Sequence, residues 1–242
     1  MFNHIHSLGF VFFLFAGSIA FAQPAVTSKS ALPKQIQATY EVTKNGQPFA
    51  NVHEQFSITD NTYKVESITK GIGVYALFGE RQLTSVGEVT AQGLKPIRFE
   101  LHQGDNAKKS LLADFDWAKQ NLTMTVKGRV KEASLAPGSQ DLASYAYQFM
   151  FLPTPLKDNI TVVLTTGKKL NHYHYKINPA SEVIESAGVQ YKTLHLEQSD
   201  QNSAETKALW LATEHYYVPV RIMMIDEDGQ KLEQTLTELH VK

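Results

Sequence analysis

IQATYEVTKNGQPFANVHEQFSI, Ile36 to Ile58, is the stretch whose reading decides the fold class. Ile36, Ala38, Tyr40 and Val42 share one side of an extended chain, and Val52, Glu54, Phe56 and Ile58 repeat that period beyond Asn45-Gly46. A period of two marks a strand with one buried face, and Asn-Gly accepts the positive φ angles of a type I′ turn. The stretch therefore reads as a β-hairpin. Asp60-Asn61 gives the next turn, after which Tyr63, Val65 and Ser67 alternate with Lys64, Glu66 and Ile68.

The same period continues down the chain. Strands are expected at Leu83–Thr90, Ile97–His102, Leu111–Trp117 and Leu122–Lys127. Further strands follow at Thr161–Leu164, Leu170–Ile177, Glu182–Glu185, Val189–Gln198, Thr206–Ala212, Pro219–Ile225 and Lys231–Val241. Thr166-Gly167, Ala187-Gly188 and Asp228-Gly229 mark turns between them. Gly71 to Phe78 (GIGVYALF) is apolar throughout and fits either a short helix or a buried crossing. The clearest helical pattern is Gln140 to Phe151. Ser139 is placed to cap it, Leu142, Tyr145, Ala146 and Phe149 follow helical spacing, and Pro153 and Pro155 stop it. About ten or more strands with one helix form a sheet too wide to stay flat. The expected architecture is mainly β: a large, strongly curved antiparallel sheet, a half-barrel or open barrel, with one main helix across its concave side.

Outside this region the chain reads as an address. Met1–Ala22 resembles a secretory signal, with an apolar run at Phe10–Ala20 and a small-x-small cleavage pattern ending at Ala22. Gln23–Gln35 reads as a flexible leader, and 36–242 as a single β-rich domain. The 242 residues contain no cysteine, which removes disulfides, thiolate metal sites, cysteine nucleophiles and a lipidated anchor. With 23 basic and 24 acidic side chains the formal charge is −1, too little positive field to hold nucleic acid. A soluble periplasmic protein, with no membrane span after cleavage, is the expected product.

Candidate chemistry is sparse. His172 and His174 alternate on one strand and suit a metal ion, but they share the wet face opposite Tyr173, Tyr175 and Ile177. His195, Glu214 and His215 complete a site only if the fold gathers them. Asp114 and Asp116 are paired carboxylates on a solvated strand face, whereas acid–base pairs come from different elements. Asp226-Glu227-Asp228-Gly229 lacks the rest of a calcium loop and reads as a hairpin turn. No nucleophile elbow, P-loop, dinucleotide fingerprint or zinc-protease motif occurs. The reading assigns no catalytic residue, no metal and no cofactor. Phe78, Trp117, Tyr145, Phe149 and Trp210 are the candidate walls of an apolar ligand groove, set against an ordinary packed core.

Tyr40 with Asn45-Gly46, the run from Gln140-Asp141 to Ser144-Tyr145, and Trp210-Leu211 followed by Pro219-Val220-Arg221 and Gly229 together carry a resemblance. They resemble the bacterial envelope family known as domain of unknown function 3108, over nearly all the chain from Ile36 onward. Ala50 departs from it where a glycine is expected. The resemblance implies export and a β-rich domain, and brings no catalytic residues. The architecture is similar, more loosely, to the half-barrels of periplasmic lipoprotein carriers, whose concave apolar surface shelters acyl chains. Two functions are expected in order: binding or carrying a hydrophobic, lipid-like ligand between sheet and helix, or acting as an envelope adaptor that holds another protein at a sheet edge or face.

Overall fold

Asn45 and Gly46 take φ values of 51° and 77° and turn β1 (Gln35–Lys44) onto β2 (Gln47–Thr59), with Lys44 opposite Gln47. The computed structural model describes residues 31–104, 110–153, 156, 159–199 and 205–242. The expected signal, Met1–Ala22, lies outside the described residues, as does 23–30 of the leader. From the hairpin the chain runs through β3 (Thr62–Gly71), a 3-10 turn at Gly73–Phe78, β4 (Arg81–Thr90), β5 (Gly93–Gln103), β6 (Leu111–Asp116), β7 (Asn121–Val126) and β8 (Arg129–Ser134). It continues through β9 (Gln140–Asp141), α1 (Tyr145–Gln148), a 3-10 turn at Phe149–Phe151, β10 (Asn159–Thr165), β11 (Leu170–Ser186), β12 (Val189–Gln198), β13 (Thr206–Ala212), β14 (Pro219–Ile225) and β15 (Lys231–Val241).

The fifteen strands of the described residues form one open sheet in the order β8-β7-β6-β5-β4-β3-β2-β1-β15-β14-β13-β12-β11-β10-β9. Every ladder is antiparallel except the short parallel pair β9–β10. β1 and β15 pair in the middle, Ile36 facing Val241 and Lys44 facing Leu232. The two edges, β8 and β9, are sequence neighbours.

The edges approach one another without a hydrogen-bonded ladder. Gly167, in the β10–β11 turn, packs so closely on Phe99 of β5 and Leu111 of β6 that a methyl group there would lie 3.2 Å from Leu111 Cβ. Thr165 Oγ1 sits 3.4 Å from Met124 Sδ on β7. Gln140 Nε2 of β9 donates to the carbonyl of Leu94 on β5 at 2.8 Å. A sheet this wide has to curl, and here its two ends meet through side chains.

The helix differs from the sequence expectation. Helical pattern predicts Gln140–Phe151, but only Tyr145–Gln148 is α-helical and Phe149–Phe151 is 3-10. Asp141 is the reason. Its Oδ1 accepts the backbone N–H groups of Ala143 and Ser144, both at 2.9 Å, while Ser144 Oγ takes the N–H of Asp141 at 3.0 Å. This local turn satisfies groups a continuous helix would use, so Gln140 and Asp141 stay extended and pair with Leu164 and Thr165. Ser139 is not the cap; its hydroxyl donates to the carbonyl of Ala136. Other differences are smaller. Leu170–Ile177 and Glu182–Glu185 belong to one strand, β11, with a register shift between Asn178 and Glu182. β8 has no apolar face to betray it, because Arg129–Ser134 is exposed at nearly every position.

Candidate functional site

Glu54 stands on the apolar side of β2, between Val52 and Phe56, where period-two packing would put a hydrophobic residue. Its carboxylate accepts hydrogen bonds from Ser67 Oγ on β3 and from Tyr147 Oη on α1, each at 3.1 Å. Burial raises its pKa, partly offset by those two donors. Glu54 is half-buried and lines a partly open cavity of about 460 Å³.

The cavity is framed by β1–β4 on one side, by β10, β11 and β13–β15 on the other, and by the segment around α1. Its walls are mostly apolar and aromatic, among them Val52, Leu83, Tyr145, Tyr173, Leu209 and Ile222. Five charged residues also reach it: Glu54, Arg81, Lys169, Glu205 and Lys207. Lys207 Nζ bonds Glu205 at 2.8 Å and lies 3.9 Å from the centre of the Tyr173 ring, a cation–π contact. The side chain of Arg81, at the start of β4, makes no hydrogen bond or ion pair with the described residues, and burial lowers its pKa.

Beneath one end of the cavity lies a second buried polar group. Asp141 Oδ2 accepts the hydroxyl of Ser85 at 2.6 Å, and Ser85 Oγ is 3.0 Å from Tyr63 Oη. Asp141, Ser85 and Tyr63 are fully buried. Burial raises the Asp141 pKa to about 6, against the lowering effect of its donors Ser85, Ser144 and Ala143.

The structure separates the expected wall residues. Tyr145 lines the cavity and meets Phe149 edge to face, with centroids 6.4 Å apart. Phe149 is buried behind it, against Leu164, Leu196 and Leu209. Trp117 packs elsewhere, stacked on Phe115 with its indole N–H on the carbonyl of Pro96. Trp210 stacks on His195 at 4.4 Å and donates to Glu182 Oε2 at 2.7 Å. Phe78 is 63% exposed beside Leu77, so the Gly71–Phe78 segment is a surface 3-10 turn rather than a buried crossing.

The titratable candidates are dispersed as well. His174 Nδ1 lies 3.0 Å from Thr161 Oγ1, His215 packs edge-on to Tyr191, and Glu214 pairs with Lys192. Asp114 pairs with Arg98 and Asp116 with Lys119. Asp226 caps the β14–β15 turn through the N–H groups of Asp228 and Gln230. Among the described residues no three histidine or acidic side chains gather in a way that could hold a metal ion. No helix among them is long and apolar enough to cross a membrane.

Residues 37–237 match the profile of a family described as "Protein of unknown function (DUF3108)". The chain belongs to the DUF3108 family. No curated protein matches it. Among solved structures it is similar to a beta-barrel-like protein of domain of unknown function DUF1849 from Brucella abortus, with a TM-score of 0.56 and 8% identity. That likeness covers 86% of this chain and 98% of the other, and it shows the fold. MucB in complex with MucA(peri) aligns over 85% of this chain and 88% of its own at 7% identity, but its TM-score of 0.18 carries no argument. The DUF3108 chain thus shares a mainly β, barrel-like sheet with a structural neighbour, and the sheet is open rather than closed.

Sequence reasoning passed over Glu54, Arg81 and the Asp141–Ser85–Tyr63 group. The signal for Glu54 was available: a carboxylate on the apolar side of a strand needs partners or a cavity. For Arg81 there was none, because its position facing the cavity follows from the curl of the sheet.

Proposed function

We propose that this DUF3108 chain is an exported, periplasmic binding protein for a hydrophobic, lipid-like ligand held in the cavity between the curled sheet and the α1 segment. The observation that carries this reading is the cavity itself: about 460 Å³, with mainly apolar and aromatic walls and a few polar groups. Ligand pockets have this size and composition. Affinity comes from removing apolar ligand surface from water. Tyr145 contacts the ligand directly, and Phe149 supports it from behind.

The envelope-adaptor reading has less support. β8, one free edge, carries Arg129, Lys131 and Glu132, and charged side chains on an edge oppose strand addition. The other edge, β9, is two buried residues long.

The test is native mass spectrometry and lipid extraction of the chain purified from the periplasm of its own cells. A stoichiometric hydrophobic adduct, lost on delipidation and regained on adding the extract, is expected. A chain that carries no adduct and takes up neither the extract nor a neutral hydrophobic dye overturns the reading. N-terminal sequencing of the same preparation should begin at Gln23.

A further inference from the structure

We propose that the ligand is an anionic single-chain amphiphile, its carboxylate or phosphate head held by the Arg81 guanidinium and its tail lying along Leu83, Val52 and Tyr145. This deepens the reading above and rests on it.

Three cations, Arg81, Lys169 and Lys207, line the cavity against two carboxylates, Glu54 and Glu205. Glu205 is held by Lys207, and Glu54 is bonded to Ser67 and Tyr147, so neither is within ion-pair distance of Arg81. Arg81 is left as a half-buried cation with no partner among the described residues. A desolvated guanidinium without an acceptor is costly, and an anionic ligand group removes that cost. Burial of Glu54, which favours its neutral form, leaves the lining more positive still.

Geometry sets the direction of the ligand. Arg81 opens β4, after the exposed Leu77 and Phe78 and the intervening Gly79 and Glu80, and pairs across the sheet with Thr69 and Gln103. Farther along the same face of β4 come Leu83 at 6% exposure and then Ser85 at 0%. Exposure therefore falls from the Arg81 end inward, which suits an amphiphile with its head toward solvent. Arginine also suits the task, since its planar fork matches a carboxylate or phosphate with two parallel hydrogen bonds.

The test is displacement of the neutral dye N-phenyl-1-naphthylamine from the delipidated full chain by hexadecanoate, hexadecyl phosphate and 1-hexadecanol at neutral pH. Both anions should displace it at about tenfold lower concentration than the alcohol, as a charged hydrogen-bond pair requires. The tighter of the two anions identifies the head group. Arg81→Gln should erase the preference of the anions over the alcohol, while Arg81→Lys should retain part of it. Circular dichroism of both variants checks the fold. If the alcohol matches the anions, or if the preference survives in Arg81→Gln, the assignment of the head group is overturned while the cavity reading stands. If the dye and all three amphiphiles fail to bind, both fall together.

Discussion

Ser85 donates a 2.6 Å hydrogen bond to Asp141, tying the middle of β4 to the last residue of β9 across the interior. The carboxyl has no exposure to solvent, and its stability consequence follows from the sign of its pKa shift. An unfolded aspartate titrates near 3.8 and this one near 6, so between those values the folded chain holds the proton that the unfolded chain has released. Stability should then fall as pH rises through that window, by an amount on the order of 3 kcal/mol. Urea unfolding at about pH 3.5, below both values, and at about pH 7.5, above both, measures the fall. Asp141→Asn keeps an acceptor for the N–H groups of Ala143 and Ser144 and lets Ser85 accept instead of donate, so it should flatten the profile. Asp141→Ala leaves those donors buried without partners and should cost about 2–4 kcal/mol at either pH.

Gly93 opens β5 with φ of 123°, and a side chain there would collide with the Gln148 amide. That amide fills the β4–β5 turn, accepting the N–H of Leu94 at 2.7 Å and donating to the carbonyl of Gln92 at 3.1 Å. Gly93→Ala should lose about 2–4 kcal/mol, from backbone strain together with the displaced amide. Gln148→Ala should lose about 1–3 kcal/mol. The double variant should lose less than the sum, because both changes break the same clamp; urea midpoints of the four proteins give the coupling.

Ile222 lines the cavity from β14 and is only half-buried. Ile222→Trp should fill part of that space and weaken N-phenyl-1-naphthylamine binding about tenfold or more, with thermal stability within about 1.5 kcal/mol of the parent. Dye titration and a melting curve on one sample separate a blocked cavity from an unfolded chain.

Tyr145 and Phe78 should part company in the same titration. Tyr145→Ala removes a wall of the cavity and should weaken dye binding severalfold. Phe78→Ser alters a ring that is 63% exposed and absent from the lining, and should change stability by less than about 0.5 kcal/mol. An equal loss of dye binding in both variants would place the ligand at the surface turn instead.

Much of the sheet was legible in the sequence because alternation is a local property. Ile36–Ile58, with its Asn45-Gly46 turn, gives its two strands directly, whereas the register shift between Val42 and Thr43 leaves no mark on the alternation. β8 escaped because an exposed edge has no apolar side, and the helix came out too long because Leu142, Tyr145, Ala146 and Phe149 keep helical spacing through a segment that Asp141 caps partway. The site was less legible still. Tyr145 reaches the cavity and Trp210 does not, though both are aromatics in apolar surroundings. Which one faces the space depends on strands far apart in the chain, and periodicity carries no such information.

The strand order gives the molecule an unusual seam. β1 and β15, first and last of the fifteen in chain order, lie side by side at the centre, and the rims of the sheet are consecutive in sequence. The halves β1–β8 and β9–β15 are joined by one covalent crossing, between β8 and β9, and by one strand ladder, between β1 and β15, with side-chain hydrogen bonds such as Ser85 to Asp141 spanning the interior. Until β15 has been synthesised, β1 keeps a bare edge at what will become the middle of the fold. The β1–β15 ladder is the pairing with the greatest separation in sequence, and non-local pairing of this kind raises contact order and slows folding.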